Sequence, residues 1–173
     1  AAIRSTIASW LAPLRKSRSP LTVHCQLSHV IWRSPVRRSR RSLIALLDVR
    51  DIDEWIGESS SPYGKDFCPR KGRIPGAVWL EWYRMMKPTA EGPRFKSKNE
   101  ILAECATVGI TPNTPVYLYC FKGARASNTF LALKNAGVKD VRMYFGSWNE
   151  WSRDPSLPIE EGLPTEAKLT KAA

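Results

Sequence analysis

The stretch VYLYCFKGARASNTFLAL, residues 116–133, decides the fold. Its first part, PVYLYC over 115–120, is an apolar run of strand length with no helical spacing, as expected of a strand buried on both faces. After the loop Phe121 to Arg125, the segment ARASNTFLALKNAG reads as a helix, and Gly137 is its stop. A buried strand feeding a helix is half of a β–α–β unit, so similar apolar runs are sought on either side. LIALLDV (43–49) is a second such run. DIDEWIG (51–57) reads as a short helix with acidic residues in its first turn and Gly at its end. AVWL (77–80) is a short strand and EWYRMM (81–86) a short helix. SKNEILAECATVG (97–109) is the clearest helix: Ser97 and Glu100 form a capping-box pair, and Ile101, Leu102, Cys105 and Val108 share one face. DVRMYF (140–145) alternates Val141, Met143 and Phe145 against Arg142 and Tyr144, so the first three are expected inside. GSWNEWSRDP turns into a short helix that stops near Pro155. Residues 58–76 and 87–96 read as loop. Strands alternating with helices predict an α/β fold, an open parallel sheet of about four to five strands with helices on both faces.

Charge separates the chain into parts. Of the 173 residues, 1–42 hold nine Lys or Arg and no acid; 43–173 hold the other eighteen and all sixteen acids. The net +11 is therefore concentrated in a Ser- and Arg-rich leader outside the fold, and the catalytic domain is expected over 43–160 with a loose tail at 161–173. No nucleic-acid partner is expected, because no basic face with interleaved aromatics stands out in the domain. No membrane partner is expected, because no apolar stretch reaches about 18 residues. A cytoplasmic location is the expectation, or an organelle (mitochondrion or plastid) if the leader is a transit peptide. Cys25, Cys68, Cys105 and Cys120 are widely and irregularly spaced, which suits neither zinc nor a disulfide framework. No metal and no cofactor are expected.

Chemistry concentrates at Cys120. In open parallel sheets, ligands lie beyond the carboxyl ends of strands, where Cys120 falls. A loop curling around the sulfur turns successive N–H groups inward, and the following helix adds its positive end. Lys122 and Arg125 add formal charge, and Gly123 permits the tight turn. All three effects favour thiolate over thiol. A lone Cys at a strand end is most often an inert small hydrophobe, but a core cysteine has no use for Gly, Lys and Arg within five positions. Cys105, on an apolar helix stripe, takes the inert reading. Cys68, in KDFCPRKG, is the weaker candidate for a second thiol. Both histidines, His24 and His29, lie in the leader, so an imidazole base is not available to the domain. The chemistry is then confined to steps for which a preformed thiolate suffices. Attack on a sulfane sulfur is one such step, and attack on a phosphate ester is another.

These residues resemble a known family. CFKGARAS (120–127) is similar to the active-site loop of rhodanese-family sulfurtransferases. LLDVRDIDEW (46–55), GRIPGAV (72–78) and YFGSWNEW (144–151) resemble the family's other segments, in family order. The ending is most similar to the catalytic C-terminal domain of two-domain thiosulfate sulfurtransferases. The resemblance implies that Cys120 forms a persulfide held by the loop Phe121, Lys122, Gly123, Ala124, Arg125 and Ala126. It implies that Lys122 holds the sulfonate of thiosulfate, that Asp48 and Arg50 are supporting residues, and that Trp148 and Trp151 pack near the pocket. The partners implied are a small thiosulfate-like sulfur donor and a cyanide or thiol acceptor, which includes a protein thiol. Glu54 stands where some thiosulfate enzymes carry a substrate-binding Arg, and Arg73 where His is usual. Residues 1–42 do not clearly supply the family's opening strand and helix. The alternatives are a cysteine phosphatase or arsenate reductase of similar build, and a noncatalytic binding module. Four residues between Cys120 and Arg125, against five in related phosphatases, favour sulfur over phosphate.

Overall fold

The computed structural model describes residues 44–163. Their elements are β1 (Ala45–Asp48), α1 (Ile52–Trp55), β2 (Val78–Trp79), a 3-10 turn (Trp82–Met85), β3 (Met86–Lys87), β4 (Arg94–Phe95), α2 (Lys98–Ala106), β5 (Val116–Tyr119), α3 (Ala124–Ala136), β6 (Val141–Met143) and α4 (Ser147–Trp151). Four strands make a parallel sheet in the order β2-β1-β5-β6. Leu47 pairs with Leu118 across the two central strands. The apolar runs that contain β1 and β5 thus occupy the sheet centre, where both faces are covered.

Strand alternation sorts the core into two layers. Leu47, Val49, Val116, Leu118 and Cys120 pack with Ile101, Cys105, Ala132 and Leu133 of α2 and α3. Tyr119 and Phe121 point the other way and pack with Ile74, Tyr144, Trp148, Trp151 and Leu157. The second layer therefore rests on α4 and on loops. Cys105 lies fully inside the first layer, where burial pushes its thiol up to about 11. That agrees with the inert reading.

Two segments depart from the sequence expectation. Part of 87–96, read as loop, forms the antiparallel ribbon β3–β4, with Met86 opposite Phe95. At 140–145 the period of two breaks after Met143. Tyr144 is buried, donates its N–H to Leu118 O at 2.9 Å and its hydroxyl to Glu150 at 2.9 Å, while Phe145 is 56% exposed. The chain turns here toward α4, with Ser147 at φ 54, so the strand rule no longer decides which side chain points inward.

The chain returns at its end to close the second layer. Arg73 and Glu160 exchange backbone hydrogen bonds at 2.9 Å each, and the Arg73 guanidinium donates to Trp55 O and Gly162 O. Arg73 thus serves as a clamp. The expected leader 1–42 lies outside the described residues, as does the expected tail 161–173 beyond residue 163. No helix among the described residues is long and apolar enough to cross a membrane.

Candidate active site at the end of the central strand

Cys120 follows the last residue of β5, and Gly123 is the N-cap of α3. The connection between β5 and α3 is therefore only four residues long, Cys120 to Gly123. Gly123 adopts φ +96, a left-handed conformation, and a Cβ there would approach Phe145 Cδ2 to 2.9 Å. Glycine meets both demands. Its N–H donates to Cys120 Sγ at 3.1 Å, the one hydrogen bond to this sulfur among the described residues. Ala124, Arg125 and Ala126 make the first turn of α3. Gly123 has no side chain with which to cap them, which leaves the positive end of the helix beside the sulfur.

The floor of the loop is fixed by α4. Cys120 N–H donates to Ser147 Oγ at 3.2 Å, and Ser147 Oγ donates to Tyr144 O at 2.8 Å. Cys120 O and Phe121 O accept from the N–H groups of Trp148 (3.0 Å) and Asn149 (2.9 Å). Ser147 holds a left-handed backbone conformation that a non-glycine residue adopts only where its surroundings impose it. The GSWNEW segment thus buttresses the loop through two main-chain N–H groups and the Ser147 hydroxyl.

Asp48 and Arg50 lie at the adjoining end of β1, both fully buried. Arg50 Nη2 donates to Asp48 Oδ2 and to Gly72 O, each at 2.7 Å, and the guanidinium lies 4.7 Å over the Trp148 ring. Burial opposes the Arg50 charge, yet the Asp48 carboxylate outweighs it and the guanidinium is held protonated more firmly than usual. Trp148 packs on Arg50 in the second layer, across the sheet from the Cys120 side chain. Its side chain is a support and its N–H is what reaches the loop.

Of the two cations of the loop, one is already engaged by carboxylates. Arg125 is bound by Glu54, at 2.5 and 3.0 Å, and by Asp51 at 2.9 Å. Its charge is largely compensated before it reaches the sulfur. Burial raises the Glu54 carboxyl, against the opposing pull of Arg125. Lys122 is exposed and its ammonium lies 4.4 Å over the Tyr63 ring. Among the described residues no carboxylate pairs with it. The expected ring of amides with two cations reduces to one amide hydrogen bond, a helix terminus and one uncompensated lysine.

Three features were not singled out from sequence. Glu54 was read as a missing substrate contact, and it is the partner of Arg125. Tyr63 and Phe67, inside the 58–76 loop, pack edge-on against Phe121 at 5.5 and 5.8 Å between ring centroids. Ser59, Ser60 and Ser61 are buried and hold that loop by side-chain hydrogen bonds. Two aromatics four positions apart in a polar stretch were the available signal. Cys68 is also buried, beside a cavity of about 600 Å³, with Asn149 Oδ1 at 3.7 Å and Arg153 Nη2 at 3.9 Å from its sulfur.

The family model described as a rhodanese-like domain matches residues 36–154, and the chain belongs to this family. It is 32% identical over 124 residues to a thiosulfate sulfurtransferase of Azotobacter vinelandii, covering 70% of this chain and 45% of that protein. It is 32% identical over 143 residues to a thiosulfate sulfurtransferase of Pseudomonas aeruginosa (82% and 48%), and 35% over 121 residues to the sulfur carrier protein TtuD of Thermus thermophilus (68% and 41%). The chain spans about half the length of the curated relatives it matches. A solved structure of EanB, with a cysteine persulfide and ergothioneine, is similar with a TM-score of 0.61 at 32% identity, over 69% of this chain and 29% of that one.

Proposed function

We propose that the chain is a sulfurtransferase that carries sulfur as a Cys120 persulfide. The observation that carries this reading is the Gly123 N–H on Cys120 Sγ at the uncapped start of α3. An amide and a helix terminus stabilise an anionic sulfur without an imidazole base. In the first half-reaction the Cys120 thiolate attacks the outer sulfur of thiosulfate. The S–S bond of thiosulfate breaks, and sulfite leaves with the electron pair. Lys122 attracts the departing oxyanion. In the second half-reaction a thiol or cyanide takes the sulfur and returns the thiolate. No proton transfer to a leaving group is needed, which suits a site without histidine.

The phosphatase reading is less well supported. Phosphoryl transfer needs a cation free to clamp three oxygens, and Arg125 is engaged by two carboxylates.

The test is mass spectrometry of the purified chain after thiosulfate, with a gain of one sulfur atom on the peptide that contains Cys120. Cys120→Ser should abolish both this gain and thiocyanate production from thiosulfate and cyanide. Lys122→Ala should raise the KM for thiosulfate more than it lowers kcat. Unchanged thiocyanate production in Cys120→Ser would refute the mechanism.

A further inference from the structure

The rim beside the Cys120 loop carries a feature of which the sulfur step uses Lys122 alone. Tyr63 and Phe67 are 58% and 52% exposed, with ring centroids 5.6 Å apart. Each ring has a cation at its face: Lys122 Nζ lies 4.4 Å from the Tyr63 centroid, and Arg153 Cζ lies 5.9 Å from that of Phe67. Both rings meet buried Phe121, the neighbour of Cys120, edge-on. The order along the rim is cation, ring, ring, cation. Among the described residues neither cation pairs with a carboxylate. Asp66, adjacent to Phe67, is tied to Lys71 at 2.6 Å. The strip is also prearranged: Tyr63 N–H donates to Ser61 Oγ, Ser61 Oγ donates to Gly64 O, and Cys68 N–H donates to Ser60 Oγ. The two exposed rings touch on a loop held by hydrogen bonds, so they form one continuous apolar patch flanked by cations.

We propose that this strip docks the sulfur acceptor, and that the acceptor is an acidic, apolar segment of a protein carrying a thiol. The proposal rests on the persulfide reading of Cys120 and names its acceptor. Two rings separate the cations, so one small oxyanion does not meet both, whereas an extended segment with acidic groups flanking an apolar residue does. Sulfur passes without any oxidant. The acceptor thiol loses its proton to water, and its thiolate attacks the terminal sulfur of the Cys120 persulfide. The bond from that sulfur to Cys120 Sγ breaks, its electron pair returns to Sγ, and the acceptor leaves as a persulfide.

The test loads the full chain with thiosulfate, removes the excess, and follows transfer by mass spectrometry. The probes are a synthetic cysteine peptide rich in Glu and Leu, the same peptide with Lys in place of Glu, and 2-mercaptoethanol. The acidic peptide should react roughly tenfold faster than the lysine peptide at low salt, and the gap should close as salt is added. Arg153→Ala should slow the acidic peptide roughly threefold and leave the loading of Cys120 and the rate with 2-mercaptoethanol unchanged. Equal rates for the two peptides would overturn the proposal. So would an Arg153→Ala variant that slows 2-mercaptoethanol as much as the acidic peptide. If Cys120 takes up no sulfur, the persulfide reading fails. Docking is then decided by fluorescence anisotropy with serine in place of the peptide cysteine, where equal affinity for acidic and lysine versions rejects it.

Discussion

Arg125 shows how a residue can be found from sequence and still be given the wrong neighbour. Its place five positions after Cys120 was legible, and so was its nearness to the sulfur. Its compensation by Glu54 and Asp51 was not, because that contact joins positions 71 residues apart. Glu54 is buried, and burial raises its carboxyl, with Arg125 pulling the other way. A carboxyl raised in the folded state contributes stability that is complete below its ordinary value of 4.5 and is lost as pH climbs through the raised value. Glutamine at this position does not titrate. The wild-type chain should therefore lose stability relative to Glu54→Gln as pH rises above the ordinary 4.5, measured as urea midpoints. A gap that moves toward the wild type over that range would mean that the ion pair outweighs burial.

At the level of elements, the strongest periodic segments were the most legible. Helix α2 begins where the capping pair placed it: Glu100 Oε2 accepts the Ser97 N–H at 2.6 Å, and Ser97 Oγ accepts the Glu100 N–H at 3.4 Å. These Ser97 hydrogen bonds, with Lys87 assisting, hold the Glu100 carboxyl down at about 2. A lowered carboxyl stabilises the fold above its ordinary 4.5, and the contribution is lost as pH falls through about 2. Ser97→Ala should cost about 1 kcal/mol. The Glu100→Gln variant should match the wild type in acid and fall behind it above about pH 4.5. Thermal melts across this range check both. If Glu100→Gln follows the wild type at every pH, the box makes no contribution. The short elements were harder to read. Ribbon β3–β4 has two residues a side, with too few alternations to register as a pattern. The Tyr144 and Phe145 reversal arises where a strand gives way to a turn, and periodicity carries no information there.

Over the whole molecule, the buried Asp48–Arg50 pair joins the sheet, the Gly72 carbonyl and the Trp148 layer. Removing one member strands a charge in the interior. Asp48→Ala should cost about 3–5 kcal/mol in urea unfolding, whereas exchanging both for apolar residues, as in Asp48→Leu with Arg50→Met, should recover most of that. A double variant as unstable as Asp48→Ala would show that the hydrogen bond to Gly72 O, and not the charge pair, holds the layers together.

The amino-acid sequence by itself determined the α/β class, the central strands and the main helices, and it singled out Cys120 as the cysteine whose chain neighbours suit an anionic sulfur. Those features depend on local spacing and on residues adjacent in the chain. The tertiary structure decided which charges remain available at that sulfur. Arg125 is neutralised and Lys122 is placed on an aromatic face, because the groups that meet them come from segments about 60 to 75 positions away. Charge acts through space, and only the fold sets those distances.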